Sequence, residues 1–147
     1  MASTFTAAEV RQAVSTAVIT ALAASEWSES TVPYDLFGTE WDSENISDRC
    51  YSVGCTSTTP TRGPQRGMVE VTTMVGVRYS VSIAALDQVA GYDSALDAEA
   101  DLLKAIHTIH RSTWLHVIYT RSQRGAVADG WLLGELTFTC KHNLALV

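Results

Sequence analysis

The chain has 147 residues, 46% of them hydrophobic and 18% charged, with a formal net charge of −6. That length and apolar content suffice for one domain with a real core, expected over 1–147. No apolar run is long enough to span a bilayer, the opening MASTFTAAEVRQAV lacks a basic-then-apolar secretion signal, and no basic stripe offers a nucleic-acid footprint.

Thr6-Ala7-Ala8-Glu9 has the spacing of a capping box, with Thr6 as N-cap. Val10, Val14, Val18 and Leu22, with Ala13, Ala17 and Ala21, then recur at helical spacing, which predicts a helix over 6–24. The next stretch, 25–48, shows no sustained period and carries no Lys or Arg, while Glu26, Glu29, Asp35, Glu40, Asp42, Glu44 and Asp48 make it acidic. Trp27, Tyr34, Leu36, Phe37 and Trp41 make it too apolar for a disordered linker. An ordered excursion with a short strand at 32–37 is expected, and stretches of this kind dock on something or carry function. Arg11 apart, every basic residue lies from Arg49 onward. Such asymmetry suits either a solvated acidic loop or an acidic edge that meets a basic edge on a neighbour.

Residues 49–57, RCYSVGCTS, alternate as a strand, and TTPTRGPQRG at 58–67 has the composition of a loop. GMVEVTTMVGVRYSVSIAAL follows, with Val69, Val71, Thr73, Val75, Val77, Tyr79, Val81 and Ile83 on one side. The two strands form a hairpin over 49–84. A second strand of that length reaches about 50 Å at about 3.3 Å per residue. A compact chain of this size has a radius of gyration of only about 15 Å. The far end of the strand therefore either bulges back onto its own domain or exposes apolar surface that a partner covers.

A second helix is predicted over 94–111, capped by Asp93 or Ser94 and marked by Leu96, Ala100, Leu103, Ile106 and His110. Two strands, 115–122 and 131–142, close the chain as a hairpin over 115–142; Leu132, Gly134, Leu136, Phe138 and Cys140 share a face. The fold class is α+β: a two-layer sandwich in which two helices cover one face of a mainly antiparallel sheet of about four strands, with one long hairpin.

Catalytic patterns are sparse. There is no phosphate loop, nucleophile elbow or paired-Cys metal motif, and the three cysteines, Cys50, Cys55 and Cys140, read as buried reduced thiols. His107 and His110, at i and i+3, could share a metal, but nothing in the sequence points to a third ligand beyond His116 or Glu99, and a histidine near a helix C-terminus also suits the dipole. Asp93, Asp97, Glu99 and Asp101 read as carboxylates favouring a helix N-terminus. Trp114 and Trp131 read as core residues, Trp27, Tyr34 and Trp41 as contacts for a partner. Arg62, Pro64, Gln65 and Arg66 form a tip that is either mobile or ordered by another subunit; Arg121 and Arg124 hold the corresponding place on the second hairpin.

The order of these segments resembles the tail terminator proteins of long-tailed bacteriophages. The features that carry the likeness are the helix TAAEVRQAVSTAVITAL, the long hairpin RCYSVGCTSTTPTRGPQRGMVEVTTMVGVRYSVSI, the helix YDSALDAEADLLKAIHTI after an Asp-containing turn, and the closing strands LHVIYTRS and GWLLGELTFTCKH. The resemblance implies a virion structural protein, not an enzyme, that needs no cofactor. It implies a homo-oligomer, a hexameric ring that caps the tail tube and joins it to the neck. The tail-tube protein and head-completion proteins would be its partners, and DNA would pass through the lumen without specific binding or membrane contact. Its location would be the virion tail or neck, after assembly in the host cytoplasm. Neck, head-completion and tail-tube subunits share these pieces, and a small metal- or ligand-binding domain using His107 and His110 is the alternative of a different class.

Overall fold

The computed structural model describes residues 3–38, 46–83, 87–111, 115–125 and 130–147. Helix α1 runs Ala7–Leu22, with both arms of the predicted capping box in place: Thr6 Oγ1 accepts from the Glu9 amide at 3.1 Å, and Glu9 Oε1 from the Thr6 amide at 3.2 Å. A 3-10 turn, Ala23–Ser25, leads to strand β1, Ser28–Glu29. Strands β2, Cys50–Pro60, and β3, Met68–Ser82, form the long hairpin. Helix α2 spans Gln88–His107 and tightens into a 3-10 turn, Thr108–Arg111. Strands β4, His116–Arg124, and β5, Trp131–Ala145, complete the chain.

The protein is α+β, with two helices and an open, mixed sheet of five strands in the order β1-β2-β3-β5-β4. The sequence led us to expect about four antiparallel strands. The extra strand is β1, which runs parallel to β2 through Ser28–Cys50 and Glu29–Tyr51. The strand expected at 32–37 is absent; residues 34–38 are turns. The ordered strand of the excursion comes earlier, where the chain leaves α1.

Helix α2 begins six residues before the predicted start because Asp87, and neither Asp93 nor Ser94, is its cap; the Asp87 carboxylate accepts from the Ala90 amide at 3.1 Å. Gly91, which looks like a breaker in sequence, is a buried helical residue. Its packed stripe is also rotated by one position: Ala95, Ala98, Leu102, Ala105 and Ile106 are buried, while Leu96 and Leu103 only flank the core.

The core lies between the helices and one sheet face. Val10, Val14 and Val18 of α1 and Leu102 and Ile106 of α2 meet Tyr51, Val75, Val77, Leu132, Leu136 and Phe138. Burying each of these large aliphatic side chains contributes about 1.5–3 kcal/mol. Alternation along β3 and β5 is as the sequence indicates, with every second residue from Val69 to Val81 and from Leu136 to His142 buried.

The apparent overhang of β3 disappears. β5 is as long as β3 and pairs with it from Met68–Ala145 to Ser82–Trp131. Val69 and Val71, expected to lie exposed at the far end, are 8% and 2% accessible. The segment before α1 lies at this end of the sheet, where Thr4 bridges to Asn143 and the Phe5 ring stands against His142. The long strand thus answers to a long partner within its own chain.

Candidate interaction site: two sheet edges and a hairpin tip

Cross-strand register joins the two edges of the sheet. Glu29 stands beside Tyr51, Tyr51 beside Tyr79, Tyr79 beside Gly134 and Gly134 beside Arg124. One rung therefore runs from an acid at the β1 edge to a base at the β4 edge.

Beneath the helices this rung carries two tyrosine anchors. At the β1 edge, the Ser15 hydroxyl lies 3.0 Å from the Tyr51 hydroxyl and donates to Glu29 Oε2 at 2.8 Å, while Arg11 pairs with Glu29 Oε1 at 2.8 Å. Helix α1 is thereby tied to the first strand. At the β4 edge, the Tyr79 hydroxyl donates to Glu99 of α2, and Arg124 grips the same carboxylate with two bonds, 2.8 Å from Nε and 2.6 Å from Nη2. Glu99 is only 5% exposed, so its charge depends on this pairing. Burial, then the Glu99 carboxylate, push the Tyr79 hydroxyl far above its ordinary value and keep it a donor. A Cβ on Gly134 would collide with the Tyr79 ring, so only glycine lets that ring lie across β5 toward Glu99. Trp27 fills the gap between the anchors, 6.4 Å from each tyrosine ring.

Both edges offer backbone. Among the described residues no strand lies beyond β4, and Ile118, Tyr119, Thr120 and Arg121 are exposed along it. On the other side β1 covers β2 only at Cys50 and Tyr51, and the stretch from Thr56 to Pro60 is exposed. Bulges between Cys55 and Ser57 and between Tyr119 and Arg121 twist both edges. Charge differs between them. Glu26, Glu29 and Asp48 lie in or beside β1, where Arg49 pairs with Asp48 at 2.9 Å, whereas His116, Arg121 and Arg124 mark β4.

The residues singled out from sequence fall into three groups. Arg62, Pro64, Gln65 and Arg66 are exposed at the tip of the long hairpin, which is shorter than expected, because β2 continues through Pro60. The tip closes on itself. Gln65 and Met68 exchange backbone bonds of 2.7 and 2.9 Å around Arg66 and Gly67, at φ 53° and 75°, a turn of the I′ kind that matches strand twist. Arg62 stays at the rim, 4.0 Å from Glu70. Arg121 and Arg124 lie on the β4 edge; Arg121 donates to Gln123 at 3.0 Å, and Arg124 serves Glu99.

Trp27 and Tyr34, expected to meet a partner, are instead engaged inside the chain. Trp27 belongs to the core. Tyr34 lies flat over Gly54 and Gly76, a cross-strand pair on the sheet face away from the helices, where any Cβ would strike its ring. The Arg78 guanidinium stacks on the opposite side of the ring, 4.3 Å from its centre, and binds the Tyr34 carbonyl at 2.8 Å and Glu135 at 2.9 Å. Burial, with Glu135 alongside, pushes the Tyr34 hydroxyl up to about 12. The excursion is thus docked on its own sheet at Tyr34. Trp41 and Trp114 lie outside the described residues.

His107 is exposed, and the side chain of His110 lies outside the described residues. Among the described residues no three His, Cys, Asp or Glu side chains come together to hold a metal. Cys50, Cys55 and Cys140 form no disulfide, and burial pushes Cys140 up to about 12. Glu99, Tyr79 and Arg78 were not foreseen as a site. The available signal was a carboxylate four positions after buried Ala95 on the packed face of α2. Among the described residues no helix is long and apolar enough to cross a membrane. No protein-family model matches the chain, and no curated protein matches it in sequence.

Proposed function

We propose that the protein is a self-assembling virion subunit, a tail terminator whose copies form a ring that caps the tail tube and joins it to the neck. The observation that carries this reading is the pair of unlike sheet edges, beyond which no strand lies among the described residues. β2, β3, β5 and β4 alternate in direction. A second copy placed with the exposed Thr56–Pro60 stretch of its β2 beside β4 continues the antiparallel order, and its acidic β1 region then comes to the end of β4 that carries Arg121 and Arg124. Contacts between unlike patches are heterologous, and they close into rings when the rotation per copy allows. Complementary charge fixes register and suppresses wrong partners. The resemblance in segment order supplies the ring's place in a phage tail, with six copies, the tube protein below and head-completion proteins above. DNA then traverses the lumen without specific contact, and assembly occurs in the host cytoplasm. The role is assembly, without turnover or cofactor.

The hairpin tip, with Arg62 and Arg66, reaches the neighbour or the tube. Charge reversal tests both contacts. Arg121→Glu is expected to abolish rings, and mixing it with Glu26→Arg protein to restore mixed ones. Arg62→Glu with Arg66→Glu is expected to leave rings intact or weakened and to block tail joining. Rings and joining unaffected by every reversal would overturn the proposal. Open-ended tubes formed by the protein alone would favour the nearest alternative, a tail-tube subunit, and rings that join heads without capping tubes a head-completion subunit.

A further inference from the structure

His142 lies on the helix-facing side of β5, opposite Val71, and is 3% exposed. Its Nε2 is 2.7 Å from the Thr73 hydroxyl, which is 3.0 Å from the Thr58 hydroxyl, so a short polar chain crosses three strands. Nδ1 is buried and, among the described residues, makes no hydrogen bond of good geometry, although the backbone of Asn143 and Phe5 lies near the ring. A neutral imidazole tolerates this, since one nitrogen carries no proton; an imidazolium needs an acceptor at both. The segment Ser3–Phe5 closes the site. Thr4 bridges to Asn143, the Phe5 amide donates to the Asn143 carbonyl at 2.8 Å, and the Phe5 ring stands edge-on to His142 with centres 6.5 Å apart.

Among the described residues the surroundings offer no counter-charge. The Cys140 and Cys55 thiols nearby are neutral, both raised by burial. Glu9, at the start of α1, is engaged with the Thr6 amide. Glu70 and Lys141 point to the opposite sheet face by strand alternation. Burial holds the ring below its ordinary value, partly offset by the backbone of Asn143 and Phe5.

We propose that His142 is an acid-sensitive latch: when its ring gains a proton, Ser3–Phe5 leaves the end of β5 and uncovers the ring while the sheet stays paired. Water then solvates the imidazolium at the end of the sheet that carries the hairpin tip.

The test is hydrogen exchange on the full chain from pH 7.5 to 5.0, corrected for intrinsic rates. The closed form excludes the proton and the open form binds it, so protection of the Phe5 amide should hold above about pH 6.5 and fall up to tenfold per unit below it. Amides of β3 and β5 around Val75 and Phe138 should keep their protection. His142→Gln, which still bonds Thr73 but does not titrate, should remove the pH dependence. Phe5→Ala, which opens the site without touching the histidine, should bring the His142 ring resonances back to an ordinary midpoint. Phe5 protection that ignores pH, an equal fall in His142→Gln, a ring midpoint unmoved by Phe5→Ala, or loss of protection throughout the sheet would each overturn the latch.

Discussion

The two tyrosine anchors share one rung of the sheet and solve the same problem with different chemistry. Tyr51 and Tyr79 both extend across the core to fasten a helix, and Trp27 packs against both. The Tyr51 anchor ends in a carboxylate that water reaches, with the Glu29 side chain 34% exposed beside Arg11 at 37%. The Tyr79 anchor ends in a carboxylate at 6%, held by two bonds from Arg124. An exposed pair is screened, and its loss is cheap. A buried charge stripped of its partner is costly. The β4 edge therefore depends on one ion pair, while the β1 edge depends on packing.

Breaking the buried pair should give the largest effect. Arg124→Ala is expected to destabilise by about 3 kcal/mol, the low end for a buried carboxylate losing its cation because the guanidinium is partly open to water. Adding Glu99→Gln should recover part of that loss, since the charge goes with it; chemical denaturation of the two variants measures both. Gly134→Ala comes next, at about 2 kcal/mol, because the new methyl must displace the Tyr79 ring. Tyr79→Phe should cost about 2 kcal/mol by depriving Glu99 of a donor, and Tyr51→Phe about 1 kcal/mol. Arg11→Ala should cost less than about 1 kcal/mol, and salt should erase the difference.

Alkaline titration sharpens the same contrast. Both tyrosines are raised above the ordinary value in the folded chain, Tyr51 first by burial and Tyr79 by burial together with Glu99. A raised acid binds more protons folded than unfolded, so its contribution is intact below about pH 10 and is lost as pH rises further. Denaturation midpoints should thus hold to about pH 10 and fall beyond it. Tyr79→Phe should flatten that fall more than Tyr51→Phe does.

Local rules made much of this fold legible. The capping box at Thr6, the alternation of β3 and β5 and the helix at 7–22 follow from residues within a turn or a strand of one another. The misses involve distant partners. β1 is two residues long and forms only because β2 offers an edge. Tyr34 reads as a surface aromatic until Gly54 and Gly76 are known to face each other. Glu99 looks like one more acid near a helix start, yet its meaning depends on Arg124, brought close by the β3–β5–β4 order. The length of β3 was visible, and an equally long β5 was the explanation that adjacent hairpins concealed.

The same reading moves the case for assembly from an overhanging strand to the sheet edges, and the most direct test is the mass of the native protein across a range of concentrations, with images of each species. The account predicts a discrete ring, hexameric and no taller than two layers, that appears as concentration rises and is lost with Arg121→Glu. A protein that remains monomeric at every concentration, or that keeps its assembly when the β4 edge is reversed in charge, would contradict it.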